Sequence, residues 1–245
     1  MSRSPAQLLA TALASDPGRP FVTFYDEETG ERIELSVTTF ANWVAKTANL
    51  LVDGLGLGPG DVVWIDLPRH WQAPVWSVAA WCAGLTVALG GDPAEAALAV
   101  VGPAGLTAGL AAPEVVALSL RPLGAPFGAG ELPAGVLDYA REVASYGDQF
   151  GGAAGGGGAP LLVTSVADLG PDDVGARAEG RAAAWALAPG GRLLLADPLD
   201  QLDEVLGATL VPLTVGGSVV LLRGAAPERI EQLATAERVT ARATR

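Results

Sequence analysis

The chain has 245 residues, with 15 Lys and Arg against 27 Asp and Glu, and single copies of cysteine and histidine. At roughly 150 residues per domain this is one large domain or two lobes, and 50% apolar against 17% charged residues excludes a disordered chain. A net charge of −12 argues against nucleic acid or an anionic membrane as partner, and the lone Cys82 and His70 exclude a disulfide framework and a His/Cys metal cluster.

In chain order, the first twenty residues contain Asp16 and several prolines where a secretory leader needs an unbroken apolar run, so the expected location is cytoplasmic. Phe21 to Tyr25 and Arg32 to Leu35 flank a polar turn and predict a hairpin. From Ser36 the period changes. Thr38 or Thr39 is expected to cap a helix with Phe40, Trp43, Val44, Thr47, Leu50 and Leu51 on one face, ended by the glycines from Gly54 to Gly60.

Val62 to Ile65 reads as a buried strand. The next 20 uncharged residues, Gln72 to Gly91, could span a bilayer, but Pro74 suits a first helical turn, Gly84 a helix end, and Thr86 to Leu89 a buried parallel strand. Leu98 to Val101, a short helix near Ala104 to Leu110, and Val115 to Leu118 continue the alternation, which predicts a parallel sheet.

Between Arg121 and Pro160 the composition turns to proline and glycine. Only Val136 to Tyr146 looks helical, and six glycines among the eight residues Gly151 to Gly158 predict a mobile connector. A second block follows, with strands at Leu161 to Val163, Arg192 to Ala196 and Ser218 to Leu222, and helices at Asp172 to Leu187, Leu202 to Leu213 and Pro227 to Glu237. The predicted organisation is an N-terminal α/β lobe at 1–120, a connector at 121–160 and a second α/β lobe at 161–245.

The glycines from Gly54 to Gly60 follow a helix and precede a strand, the reverse of a dinucleotide-binding turn, and Gly155 to Gly158 lack the Lys-Ser or Lys-Thr of a phosphate-cradling loop. A serine–histidine pair could use only His70, and no Gly-x-Ser-x-Gly elbow exists. His70 follows a strand end, where α/β ligand sites gather, but also suits packing beside Trp71. Cys82, between Trp81 and Ala83, reads as a small hydrophobe. The six tryptophans could line an aromatic pocket, but core packing is the default for most of them, with each indole N–H needing a partner. Asp197, Asp200, Asp203 and Glu204 stand at a strand end and helix start, where they could bind a metal or serve as acid and base, although complementing the helix dipole is the commoner role.

Several strings resemble the large N-terminal domain of the adenylate-forming superfamily, which includes acyl-CoA synthetases, luciferases and adenylation domains. They are Gly56-Leu57-Gly58-Pro59-Gly60-Asp61-Val62-Val63, Leu67-Pro68, Trp81-Cys82-Ala83-Gly84-Leu85, Val211 to Leu221, and Glu237-Arg238-Val239-Thr240. The chain is similar to half-length bacterial members of that superfamily. The resemblance implies an α/β fold of mainly parallel sheets flanked by helices.

The resemblance also locates the damage. The superfamily's phosphate loop, Thr-Ser-Gly-Ser/Thr-Thr-Gly-x-Pro-Lys, aligns with Thr164 to Asp172, where only Thr164, Ser165 and Pro171 match. Val166 and Leu169 replace glycines and Asp172 replaces the lysine, so a phosphate meets bulk and like charge. Pro198-Leu199-Asp200-Gln201 lacks the histidine of the aromatic-pocket segment, and the 245 residues hold no counterpart of the later nucleotide-binding segments or of the domain with the catalytic lysine; the single lysine is Lys46.

The expectation is therefore a pseudoenzyme, a non-catalytic binding or scaffold protein with no catalytic residue, metal or cofactor. Thr164 and Ser165 are the remnant of the phosphate loop. The alternative is a small-molecule binding protein or enzyme with a residual pocket at the C-terminal strand ends, lined by His70, Asp197 and Asp200, for a carboxylate or nucleotide. An open strand edge or apolar face is expected near Val219 to Leu222, to be covered either by the tail from Thr235 to Arg245 folding back or between chains, and the tail's few apolar residues favour a homodimer or a protein partner.

Overall fold

The computed structural model describes residues 3–152 and 159–245. Helix α1 (Pro5–Ser15) precedes the predicted elements: Ser4 Oγ accepts the Gln7 amide at 3.2 Å, Gln7 Oε1 accepts the Ser4 amide at 2.9 Å, and Pro5 opens the helix. Strands β1 (Pro20–Asp26) and β2 (Glu31–Ser36) form the expected hairpin. Helix α2 (Val37–Asn49) follows, capped by Ser36 Oγ accepting the Thr39 amide at 3.1 Å rather than by Thr38 or Thr39, and runs into a π-helical turn at Leu50–Gly54.

Then come β3 (Val62–Asp66), α3 (Gln72–Cys82), β4 (Thr86–Leu89), β5 (Leu98–Val101), the short α4 (Leu106–Gly109) and β6 (Glu114–Ala117). The segment 136–146 is not one helix. It splits into β7 (Leu137–Asp138), α5 (Tyr139–Glu142) and a 3-10 turn, because Leu137 and Asp138 pair with Val116 and Ala117 and the Asp138 carboxylate then caps the helix by accepting the Ala140 amide at 3.1 Å.

Beyond lie β8 (Leu162–Thr164), β9 (Asp168–Leu169), α6 (Pro171–Ala184), β10 (Arg192–Leu195), α7 (Gln201–Ala208), α8 (Leu210–Thr214), β11 (Ser218–Arg223), α9 (Pro227–Ala236) and β12 (Ala241–Arg242). The single helix expected over 202–213 is broken at Thr209, whose φ of −127° and ψ of −86° are non-helical. The connector expected at Gly151 to Gly158 lies, for residues 153–158, outside the described residues. Among the described residues no helix is long and apolar enough to cross a membrane, and Gln72 to Gly91 is helix, turn and strand as read.

Two compact units result. One gathers Met1–Ala41, Arg69–Pro74 and Pro171–Arg245, the other Asn42–Pro68 and Val75–Gly170. The predicted lobes were contiguous in sequence; these units interleave, because the opening hairpin joins the late strands in one sheet.

That sheet has the order β12-β10-β11-β1-β2, parallel except for the β1–β2 pair. Val22 to Asp26 lie beside Val219 to Arg223, and Leu193 to Leu195 flank β11 on its other side. β11 is thus an inner strand, and the open edge expected at Val219 to Leu222 does not exist. The tail folds back instead: Leu193 and Leu194 pair with Ala241 and Arg242, and Glu237 ties down beside Tyr25 and, at 2.5 Å, Arg192. Phe21 and Phe40 pack edge to face at 4.7 Å, and burying each such ring contributes about 1.5–3 kcal/mol.

The second unit holds a seven-stranded sheet ordered β7-β6-β5-β3-β4-β8-β9, parallel except for the β8–β9 pair. Every residue of β4 and β5 is buried, as a parallel strand covered on both faces requires. Tyr139 is fully buried, with its hydroxyl 2.6 Å from Thr47 Oγ1 and its ring 5.0 Å from that of Trp76.

Candidate functional site

At the position of the phosphate loop the chain makes a tight hairpin. Leu162 pairs with Leu169 and Val163 with Asp168, leaving four residues, Thr164 to Ala167, to turn. The Thr164 amide donates to the Ala167 carbonyl at 2.9 Å, and Thr164 Oγ1 accepts the amides of Val166 at 3.3 Å and Ala167 at 3.1 Å. A phosphate cradle works by aiming several backbone N–H groups at an anion. Here Thr164 uses two of them internally.

The side chains of the turn complete the change. Val166 projects into solvent at 90% exposure, and Asp168 adds an exposed carboxylate. Ser165 is exposed. The following helix α6 carries Asp172 and Asp173 in its first turn, which satisfy its dipole with the chain's own charge.

The second expected site, at the C-terminal ends of the parallel strands, is occupied by Arg69. Its guanidinium donates to both Glu204 oxygens at 2.6 Å, to the Leu222 carbonyl at 3.0 Å and to the Asp197 carbonyl at 2.9 Å. One planar fork thereby closes the ends of β10 and β11 and holds the start of α7, an arrangement that suits arginine and not lysine.

His70, the next residue, is completely buried. Its Nδ1 accepts the Gln72 amide at 3.3 Å, so the proton of the neutral ring resides on Nε2, which lies 3.9 Å from Glu31 Oε2. The Phe24 ring sits edge-on at 4.8 Å. Burial, and then the Arg223 charge, press the imidazole pKa down to about 3, with Asp26 opposing them. A sealed imidazole of such low basicity is a packing group, and the expectation that it lines a ligand pocket fails on access.

Asp200 caps α7, its carboxylate accepting the Asp203 amide at 2.8 Å, and Asp203 pairs with Arg181. Asp197 differs. Its exposed side chain lines a cavity of about 170 Å3 with Leu194, Ile230, Glu231 and Arg242, while Arg242 holds both oxygens of Glu231 at 2.6 Å. The sequence grouping of Asp197, Asp200, Asp203 and Glu204 therefore separates into one cavity-lining residue, one cap and two ion pairs.

Arg69 was the functional-looking residue missed by sequence reading. Its signal in the sequence is its place immediately after the strand-end Leu67-Pro68, a position that His70 shares. Cys82 has its pKa pushed up to about 12 by burial, so its thiol stays protonated and inert. The indoles serve the interior, with Trp64, Trp81 and Trp185 donating to the carbonyls of Gly90, Leu161 and Thr244. Among the described residues, no group of three or more His, Cys, Asp or Glu side chains could hold a metal.

The fold is that of half an acyl-CoA synthetase. The chain superposes on the Brucella canis acyl-CoA synthetase with a TM-score of 0.77 and 20% identity, covering 99% of this chain and 47% of that one. It superposes on MatB from Rhodopseudomonas palustris with a TM-score of 0.72 and 19% identity, covering 98% and 48%. The chain thus spans about half the length of the solved structures it matches. No family model matches it. A protein of Mycobacterium tuberculosis described as a TIGR03089 family protein is 37% identical over 238 residues, 95% of each chain, and this chain belongs to that family.

Proposed function

We propose that this protein is a non-catalytic binding protein on the adenylate-forming fold, cytoplasmic and without adenylation activity. The observation that carries the reading is the self-satisfied turn at Thr164 to Ala167, whose amides serve Thr164 Oγ1 in place of a phosphate. Isothermal titration with Mg-ATP tests it. No heat of binding is expected at millimolar nucleotide, and micromolar affinity overturns it.

A second reading, a protein that binds a small carboxylate or nucleotide, is favoured by the cavity at Asp197. Titration with short acyl acids separates the two, because the first reading expects no saturable binding and the second expects chemical-shift changes confined to the residues around Asp197 and Ile230. Self-association, expected from an open β11 edge, is a proposal without that support, since β11 is paired on both sides.

A further inference from the structure

The seven-stranded sheet contains a topological switch point. Strand β3 is followed in sequence by β4 on one side of it, whereas β5, its neighbour on the other side, is followed by β6 in the opposite direction. Right-handed crossovers put the two connections on opposite faces, which opens a crevice beyond the carboxyl ends of β3 and β5, where open α/β sheets place ligands. In this chain the crevice position falls at Asp66, Pro68, Gly102 and Gly105, which approach one another closely at the strand ends.

Its floor is built for close approach. The Gly102 amide donates to the Asp66 carbonyl at 3.2 Å. A Cβ on Gly105 would stand 2.4 Å from Asp66 Oδ2, so glycine there leaves room for an exposed carboxylate on the rim. A Cβ on Gly102 would stand 2.9 Å from Leu120 Cδ1 and 3.5 Å from Pro68 Cδ. The side chain filling the crevice is therefore Leu120, brought there by the loop that leaves β6.

Leu120 is held in a conformation leucine avoids. Its φ is +55°, and Leu123, three residues on, has φ +60° and is 83% exposed. Two leucines in the left-handed region persist only where surrounding contacts over-determine them, and such residues concentrate at switch segments. The ties are polar and at the surface. Arg121 donates to both oxygens of Glu131 at 2.8 Å and to the Pro126 carbonyl at 3.1 Å, and Ser119 Oγ bonds the Ala125 carbonyl. Exposed ion pairs are weak clasps.

We propose that residues 119–125 are a lid over the switch-point crevice between β3 and β5, with Leu120 as a removable plug and the Arg121–Glu131 pair as its clasp. Backbone strain stored in the closed lid favours release, and the clasp opposes it. The buried strands beneath take no part in the motion.

Native-state hydrogen exchange on the full chain, under conditions where exchange reports the opening equilibrium, tests this. The amides of Gly124 and Ala125 should exchange by an opening insensitive to low denaturant, while Val100 and Val101 follow global unfolding. Arg121→Ala should speed exchange at Gly124 and Ala125 about two- to fivefold, as the loss of an exposed pair implies, and leave Val100 and Val101 unchanged. Leu120→Gly, which suits a left-handed backbone and so preserves the fold, should speed exchange at Gly102 at least tenfold. The proposal is overturned if lid and strand amides share one denaturant dependence, or if Leu120→Gly leaves Gly102 protected as before.

Discussion

Thr164 Oγ1 accepts the Ala167 amide at 3.1 Å, and this short contact decides what the turn can bind. An anion would have to displace an internal hydrogen bond that contributes about 1 kcal/mol, and would do so beside Asp168. Restoring the superfamily's lysine by Asp172→Lys should therefore not create measurable Mg-ATP binding by calorimetry, since the turn amides remain committed to Thr164. Saturable binding by that single variant would mean that charge alone, and not the turn, had been limiting.

Arg69 is expected to be the residue at the strand ends least tolerant of change. Arg69→Met keeps much of the stem's packing but leaves Glu204 and two strand-end carbonyls without their donor, at a cost of about 2–4 kcal/mol. Arg69→Lys should recover less than half of that loss, because a single ammonium cannot span Glu204 and both carbonyls at once. Urea unfolding reads both. A loss under about 0.5 kcal/mol for Arg69→Met, roughly that of an ordinary surface substitution, would mean that Arg69 does not hold the strand ends.

Much of the fold was legible in residue patterns because its strands are short apolar runs bounded by glycine, and all four residues of β4 and of β5 are buried as such runs imply. The errors share a cause. Leu137 and Asp138 look helical locally and become a strand only because Val116 and Ala117 are there to pair with them. The break at Thr209 and the inner position of β11 likewise depend on partners distant in sequence. At the sites, the loss of glycines from the phosphate loop was readable, but the hairpin that replaced it was not. Residue type also could not tell that Arg69 reaches Glu204, 135 positions away, while His70 beside it turns inward.

The pH dependence follows from His70. Its folded pKa, about 3, lies below the ordinary imidazole value of 6.5, so the folded state resists a proton that the unfolded chain accepts. Stability is full above about pH 6.5 and falls as pH drops from there towards 3, with a slope of up to about 1.4 kcal/mol per pH unit from this group. The Asp26 carboxyl, which burial would raise, is held below its usual range by hydrogen bonds from Arg223 and Thr29 and adds to the loss at the acid end. As the only histidine, His70 gives a single imidazole signal by NMR. That signal should not shift between pH 8 and 5, and a midpoint near 6.5 would show the ring to be solvated.

Gly54 offers a test of packing at the π-helical turn. A Cβ there would lie 2.2 Å from Tyr146 Oη and 2.9 Å from Tyr146 Cζ, so the glycine exists to admit that ring. Nearby, Lys46 Nζ donates to the Tyr146 carbonyl at 2.5 Å, and Asn49 Nδ2 donates to the Gly147 and Gln149 carbonyls at 2.9 Å, which prevents the segment from sliding away. Gly54→Ala should accordingly cost about 1–3 kcal/mol, although alanine is the better helix former and by propensity alone would stabilise by about 1 kcal/mol. In a Tyr146→Ala background only the 3.1 Å approach to Leu50 Cδ1, the far end of a flexible side chain, remains, and the same Gly54→Ala change should cost markedly less. Chemical denaturation of the four proteins in this double-mutant cycle reads the coupling directly, and additive effects would mean that Tyr146 is not what requires glycine at position 54.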